Sequence, residues 1–150
     1  MELKMPPVLI VIVFALAMYL LNRFLPFGYF DFFGRLLVAK VLVGFAMVIL
    51  CFSLIQFVSS KTTVDPRTPS KASSLVMGGL YKFSRNPMYL AMLLMLLAFG
   101  LKLGNAFNVL LAAGFVSYMN RFQIIPEEKV LLDKFGKDFS EYCTRTRRWF

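Results

Sequence analysis

Histidine is absent from this sequence of 150 residues, and only two cysteines occur in it. Histidine is the most common metal ligand and the most common general base at neutral pH. Its absence therefore argues against metal-dependent and histidine-dependent catalysis. Cys51 falls in an apolar run and Cys143 near the C-terminus, and neither their placement nor a reducing compartment favours a disulfide bond.

Charge is also scarce, since charged residues make up 17% of the chain and hydrophobic residues 59%. None of the eight acidic residues falls inside a long apolar run. Proton-coupled carriers generally need an ionisable group within the membrane, so this distribution argues against a small transporter.

Four long apolar runs, at 7–21, 36–58, 88–101 and 107–125, predict an all-α integral membrane protein. The second run can cross about 30 Å of hydrocarbon at about 1.5 Å per residue. The first is followed by no small-residue cleavage pattern, so we interpret it as a retained helix rather than a signal peptide. At this length we expect a single membrane domain, 1–150, of about four transmembrane helices, two of them within 1–58.

The net charge of +9 is unevenly distributed. The connections at 22–35 and 102–106 carry few cations, whereas the middle loop and the tail carry most of them. The cations of the loop and tail are Lys61, Arg67, Lys71, Lys82, Arg85, Arg121, Lys129, Lys134, Lys137, Arg145, Arg147 and Arg148. The positive-inside bias predicts that this loop and both termini are cytoplasmic. Basic segments beside a membrane usually face anionic lipid, so we expect lipid rather than nucleic acid as the partner.

The residues before the third run combine a helix start with aromatic and basic side chains. Asn86 and Pro87 are typical of a helix start, with Asn86 capping free N–H groups. Tyr81, Arg85 and Tyr89 recur every four residues and would share one face of a continuous helix, where they could bind a polar ligand. An aromatic and basic belt at the membrane interface is the alternative interpretation.

A second polar cluster follows the fourth run, at 126–136. Glu127 and Glu128 follow Pro126, where acids compensate the dipole of a new helix. The apolar and charged residues after them predict a short amphipathic helix on the cytoplasmic surface. A carboxylate so close to the lipid boundary could also hold a cationic ligand or a ribose hydroxyl.

Residues 61–148 resemble the family of integral membrane S-adenosylmethionine-dependent methyltransferases, which includes isoprenylcysteine carboxyl methyltransferases and phospholipid methyltransferases. The resemblance rests on three segments in a fixed order: 73–81, then 84–89, then Glu127-Glu128 followed by Leu131, Phe135-Gly136 and Tyr142. The first two helices are generic. No glycine-rich dinucleotide motif occurs in the sequence, so the cofactor is not expected to bind through a Rossmann fold.

The resemblance implies a set of cofactor-binding residues, and we expect Arg85 and Glu128 to be catalytic. Those matching the cofactor segments are Ser73, Ser74, Leu75, Val76, Tyr81, Arg85, Asn86, Pro87, Met88, Tyr89 and Glu127. Arg85 would bond the cofactor's carboxylate, and Glu128 is the candidate base if the acceptor must lose a proton.

Three positions depart from the family pattern. Asn86 and Ser73 stand where the family usually has histidine, and Asn86 can form hydrogen bonds but cannot titrate. Gln123 stands where the isoprenylcysteine branch has an arginine linked to the substrate carboxylate. Prenylcysteine carboxyl methylation is therefore less favoured than methyl transfer to another lipophilic acceptor. The alternative is a non-catalytic membrane scaffold or assembly subunit that binds lipid through its basic tail.

Overall fold

The structure is a computed structural model that describes residues 5–25, 27–59 and 74–150. Within these ranges the fold is all-helical, as predicted, apart from an isolated β-bridge between Tyr29 and Asn105. The elements in chain order are α1 (Pro7–Phe24), α2 (Arg35–Ser59), a 3₁₀ turn (Gly79–Lys82), α3 (Pro87–Leu103), α4 (Asn108–Met119), a π-turn (Asn120–Ile124) and α5 (Ile125–Arg145).

Helices α1 and α2 are the two described helices that are long and apolar enough to cross a membrane, with 18 and 25 residues. Large side chains such as Leu16, Phe45 and Val48 are exposed along them, as expected for residues that contact lipid. Helix α3 is apolar but has 17 residues. Membrane crossing by α3 and α4 therefore stays a prediction.

The core lies between α1, α3 and α4, where Met18, Leu96, Phe115 and Met119 are fully buried. Helix α2 packs on α3 and buries only small residues, Ala39, Ala46 and Ser53, at seven-residue spacing. Small side chains let two helix backbones approach closely where lipid surrounds them. This packing fixes the start of α3 relative to the rest of the bundle.

Helix α4 continues through the π-turn into α5 without a break in helical geometry, because Met119, Asn120, Ile124 and Ile125 all have right-handed helical dihedral angles. The altered hydrogen bonding of a π-turn accommodates Pro126, which cannot donate a backbone hydrogen bond. Since no free helix N-terminus exists at Pro126, the dipole interpretation of the following acids is wrong.

Helix α5 is also longer than the predicted segment 126–136. It bends at Gly136, whose φ of 52° lies in the left-handed region, and then continues to Arg145. The second half persists because Phe139 and Tyr142 are buried against Tyr81. Its location on a membrane surface stays a prediction.

Candidate functional site

The turn that leads into α3 is held by the last residues of the chain, 146–150, which we call the C-terminal strap. The backbone N–H of Arg85 donates to the carbonyl of Arg147 at 2.9 Å. Ser84 Oγ and Asn86 Nδ2 donate to the carbonyl of Arg148 at 3.2 Å and 3.0 Å. The strap therefore fixes this turn through three consecutive residues.

Asn86 precedes Pro87, where α3 begins as predicted, but its side chain makes no capping hydrogen bond. The capping interpretation is wrong because the amide of Asn86 is directed to the Arg148 carbonyl instead. Pro87 itself is buried and Met88 is partly buried.

The Arg85 side chain, 11% exposed, links the turn to α5. Its Nη2 atom lies 2.7 Å from Glu128 Oε1. Its Nη1 atom donates to the carbonyls of Cys143, at 3.1 Å, and Thr146. The guanidinium thus donates hydrogen bonds to carbonyls at the end of α5 and pairs with a carboxylate at the start of that helix.

Glu128 is bonded by a second guanidinium, that of Arg148. Arg148 Nη2 donates to Oε2 at 2.7 Å, and Nε lies 3.0 Å from both carboxylate oxygens. Burial raises the pKa of Glu128, but the hydrogen bonds and charges of Arg148 and Arg85 outweigh burial and lower that pKa below its ordinary value. Glu128 is therefore ionised at neutral pH.

Glu127 lies in a different environment, bonded by neutral groups. Its Oε1 atom accepts hydrogen bonds from Tyr89 Oη at 2.6 Å and from Gln123 Nε2 at 2.5 Å. Burial raises the pKa of Glu127 to about 7, with a smaller contribution from Glu128, although the two hydrogen bonds oppose the change. Glu127 can therefore change its protonation state near neutral pH.

Gln123 reaches Glu127 from the preceding turn, four residues earlier, and is 2% exposed. It belongs to the π-turn, and such turns occur frequently at functional sites. Tyr89, 5% exposed, approaches the same carboxylate from α3. The hydrogen-bonded side chains of Tyr89, Gln123 and Glu127 therefore join α3, the π-turn and α5.

Tyr81 belongs to a second cluster, formed with Phe139 and Tyr142. The hydroxyl of Tyr142 donates to the Tyr81 carbonyl at 2.6 Å, and the Tyr81 ring packs edge-on against Phe57 of α2 at 5.3 Å between ring centroids. Burial raises the pKa of Tyr81 above its ordinary value. Tyr81 therefore stays neutral at neutral pH.

The predicted cofactor segment 73–76 is only partly within the described residues. Leu75 and Val76 pack against the Tyr81 cluster, and Ser74 is partly buried beside them in sequence. Ser73 lies outside the described residues.

Tyr81, Arg85 and Tyr89 do not share a helical face, so that interpretation of their spacing is wrong. A 3₁₀ turn and a bend separate Tyr81 from α3, which interrupts the helical period. All three nevertheless contact α5: Tyr81 through Tyr142, and Arg85 and Tyr89 through the adjacent glutamates.

A cavity of about 400 Å³ lies beside the Tyr81 cluster, on the side of the second half of α5. It is lined by Met77, Lys82, Asp138, Glu141, Tyr142, Arg145 and Thr146. None of the predicted site residues lines it, although it adjoins the segment that they occupy.

Sequence reasoning missed the roles of Arg148 and Trp149. The sequence identifies Arg148 only as a cation of the basic tail. The indole N–H of Trp149 donates to Asn120 Oδ1 of the π-turn at 3.0 Å. Nothing in the sequence pattern identifies the bond of Trp149.

Comparisons with known proteins bear on the family of the chain. A chain of Haemophilus influenzae described as an uncharacterized protein is 45% identical over 62 residues, which cover 41% of this chain and 98% of that protein. No solved structure matches the chain. A family model described as phospholipid methyltransferase matches residues 34–138, well over half of the chain. The match includes α2, which the sequence resemblance had treated as generic. The chain thus belongs to the phospholipid methyltransferase family, and membership implies methyltransferase activity on lipid-like substrates.

Proposed function

We propose that the chain transfers a methyl group from S-adenosylmethionine to a lipophilic acceptor at the cytoplasmic face of the membrane. The observation that carries this proposal is the environment of Glu127, whose side chain is partly buried and hydrogen-bonded by the neutral groups of Tyr89 and Gln123. A buried carboxylate without a bonded cation favours a cationic ligand, since an opposite charge stabilises its ionised form.

The residues around Glu127 fit the chemical groups of this cofactor. S-adenosylmethionine supplies an electrophilic methyl group on a sulfonium cation. We assign Glu127 to the positive charge of the cofactor and the rings of Tyr81 and Tyr89 to its adenosine. Segment 73–76 and the turn at Arg85 and Asn86 complete the proposed binding residues.

Arg85 and Glu128 hold the turn before α3 against α5 and balance each other's charge; their roles in binding the cofactor and in proton transfer stay predictions. The Arg85 guanidinium is bonded to Glu128 and to two carbonyls, so a contact with the cofactor's carboxylate would extend this network. The base role of Glu128 stays a prediction, although its two arginine partners and its lowered pKa make it a weak proton acceptor.

Methyl transfer from a sulfonium is a direct displacement, so the chain must chiefly position the reactants and exclude water. No covalent intermediate on the protein is needed, which suits a site without histidine. The acceptor would approach from the lipid, because the exposed surfaces of α1 and α2 are apolar. The cations at Lys82, Arg145 and Arg147 favour the cytoplasmic side for the reacting groups.

Titration calorimetry of the detergent-purified protein with S-adenosylmethionine tests the proposal. We expect saturable binding to the wild type, loss of binding in Glu127→Ala, and unchanged binding in Asp133→Ala, which removes an exposed acid from the same helix. Transfer of labelled methyl groups into the organic phase of a phosphatidylethanolamine vesicle mixture would then test lipid methylation. Absence of binding to the folded wild type would instead favour the non-catalytic scaffold.

A further inference from the structure

Arg148 contacts the turn before α3 and the start of α5, two of the segments to which the cofactor is assigned. It lies outside the family match, and the sequence pattern identifies it only as a cation of the basic tail. We propose that Arg148 is a positioning residue of the S-adenosylmethionine site, which holds the turn before α3 and the start of α5 in one arrangement. This inference rests on the function proposed above.

The side chain of Arg148 acts on α5. Three of its contacts with Glu128 are 3.0 Å or shorter, and the Glu128 side chain is 17% exposed. Because Arg85 bonds the same carboxylate, Glu128 lies between two guanidiniums, one from the turn before α3 and one from the C-terminal strap. Bidentate pairs of this kind fix the relative orientation of the two groups as well as their distance.

The backbone of Arg148 acts on the turn. Its carbonyl accepts hydrogen bonds from Ser84 Oγ and Asn86 Nδ2, so one residue restrains the turn and α5 together. The next residue, Trp149, is partly buried against the core of α1, α3 and α4 and bonds Asn120. The residues before and after Arg148, Arg147 and Trp149, therefore both hold the strap, against the turn and against the helices.

Arg148 also affects Glu127 through Glu128. The groups that face Glu127 are Tyr89 of α3, Gln123 of the π-turn and Glu128 of its own helix. The negative charge of Glu128 raises the pKa of Glu127. Arg85 and Arg148 pair with Glu128, so by Coulomb's law their positive charges should oppose its effect on Glu127. We therefore expect the pKa of Glu127 to rise further when Arg148 is removed.

The test is titration calorimetry with S-adenosylmethionine over a pH series, on wild type, Arg148→Gln, Arg148→Lys and Arg147→Gln. Arg147→Gln is the matched control, because it removes one cation from the adjacent position, whose side chain is exposed. We expect affinity to fall about tenfold in Arg148→Gln, as for loss of a charge-assisted hydrogen bond, and less in Arg148→Lys. The affinity of Arg147→Gln should stay within about twofold of the wild type, as for a surface substitution.

The pH series separates positioning from general damage to the fold. Because Glu127 must be ionised to hold a cation, the pH midpoint of binding should move upward in Arg148→Gln and stay in place in Arg147→Gln. Equal affinity and an equal midpoint in Arg148→Gln and wild type would overturn the inference and leave the proposed function intact. A reduced number of binding sites with unchanged affinity and midpoint would also overturn it, since that result indicates partial unfolding. Absence of binding to the folded wild type would refute the proposed function and this inference together.

Discussion

The carboxylates of Glu127 and Glu128, adjacent in sequence, lie in opposite electrostatic environments. Glu127 accepts hydrogen bonds from Tyr89 and Gln123, whereas Glu128 pairs with Arg85 and Arg148. Successive residues of a helix point about 100° apart, so the two side chains face different neighbours. This difference divides the site into a titratable carboxyl and a fixed ion-pair network.

Glu127 makes the stability of the protein depend on pH. Burial raises its pKa from 4.5 to about 7 in the folded state, so the folded protein binds more protons than the unfolded chain between those values. The contribution of Glu127 to the free energy of unfolding therefore falls as pH rises through that window. Glu127→Gln, which cannot titrate there, should show a smaller drop in melting temperature between pH 5 and pH 8, measured by thermal unfolding in detergent. An unaltered drop in Glu127→Gln, matching that of Asp133→Asn, would contradict the assignment.

Arg85→Ala should be strongly destabilising. The substitution removes a partner of Glu128 and two hydrogen bonds to the carbonyls of Cys143 and Thr146. Loss of one partner from a largely buried ion pair is expected to cost roughly 2–4 kcal/mol. Denaturant unfolding in mixed micelles measures the change, with the exposed Lys129→Ala as the control. Equal losses in the two variants would show that the Arg85 network contributes little.

Gly136→Ala should destabilise the bend in α5 by about 1–2 kcal/mol, the cost of a left-handed conformation in a residue with a side chain. A Cβ at Gly136 meets nothing within 4 Å, so the cost is conformational rather than steric. Gly44→Ala in α2 is the matched control, since a Cβ there also meets nothing and Ala favours a helix. The melting temperature should fall in the first variant and stay equal or rise in the second. A similar response in both variants would mean that α5 tolerates another conformation at this position.

Tyr142→Phe should lower the free energy of unfolding by about 1 kcal/mol, because the buried carbonyl of Tyr81 loses its 2.6 Å hydrogen bond. The aromatic packing with Phe139 is retained in this variant. Tyr19→Phe, at a residue that is 51% exposed, removes a hydroxyl without that partner and should be nearly neutral. The two variants can be compared by denaturant unfolding. An unchanged free energy of unfolding in Tyr142→Phe would show that this hydrogen bond does not stabilise the Tyr81 cluster.

The helices could be predicted from the sequence because their determinants are local. The apolar runs at 7–21 and 36–58 correspond to α1 and α2, and Pro87 begins α3 as expected. Long apolar runs identify helices regardless of what they pack against. The predicted end of the fourth helix, at residue 125, is wrong because the helix continues through a π-turn and past Pro126.

The candidate site was less predictable because its bonds join residues far apart in sequence. Capping by Asn86 is a local expectation, but its amide bonds a carbonyl 62 residues away. The spacing of Tyr81, Arg85 and Tyr89 indicated that they act together, yet the contacts with α5 that unite them depend on the tertiary fold. The resemblance identified the Glu127-Glu128 pair, whereas their opposite environments required the positions of Gln123 and Arg148.

Trp149 is the single tryptophan of the chain, and its indole lies where the C-terminal strap meets the π-turn at Asn120. Tryptophan emission therefore comes from one location that is covered while the strap is bound to the bundle. Detachment of the strap would expose the indole to water and shift its emission to longer wavelength. The unlabelled protein thus carries its own optical reporter of strap position, which can be followed in micelles or vesicles on the timescale of ligand binding.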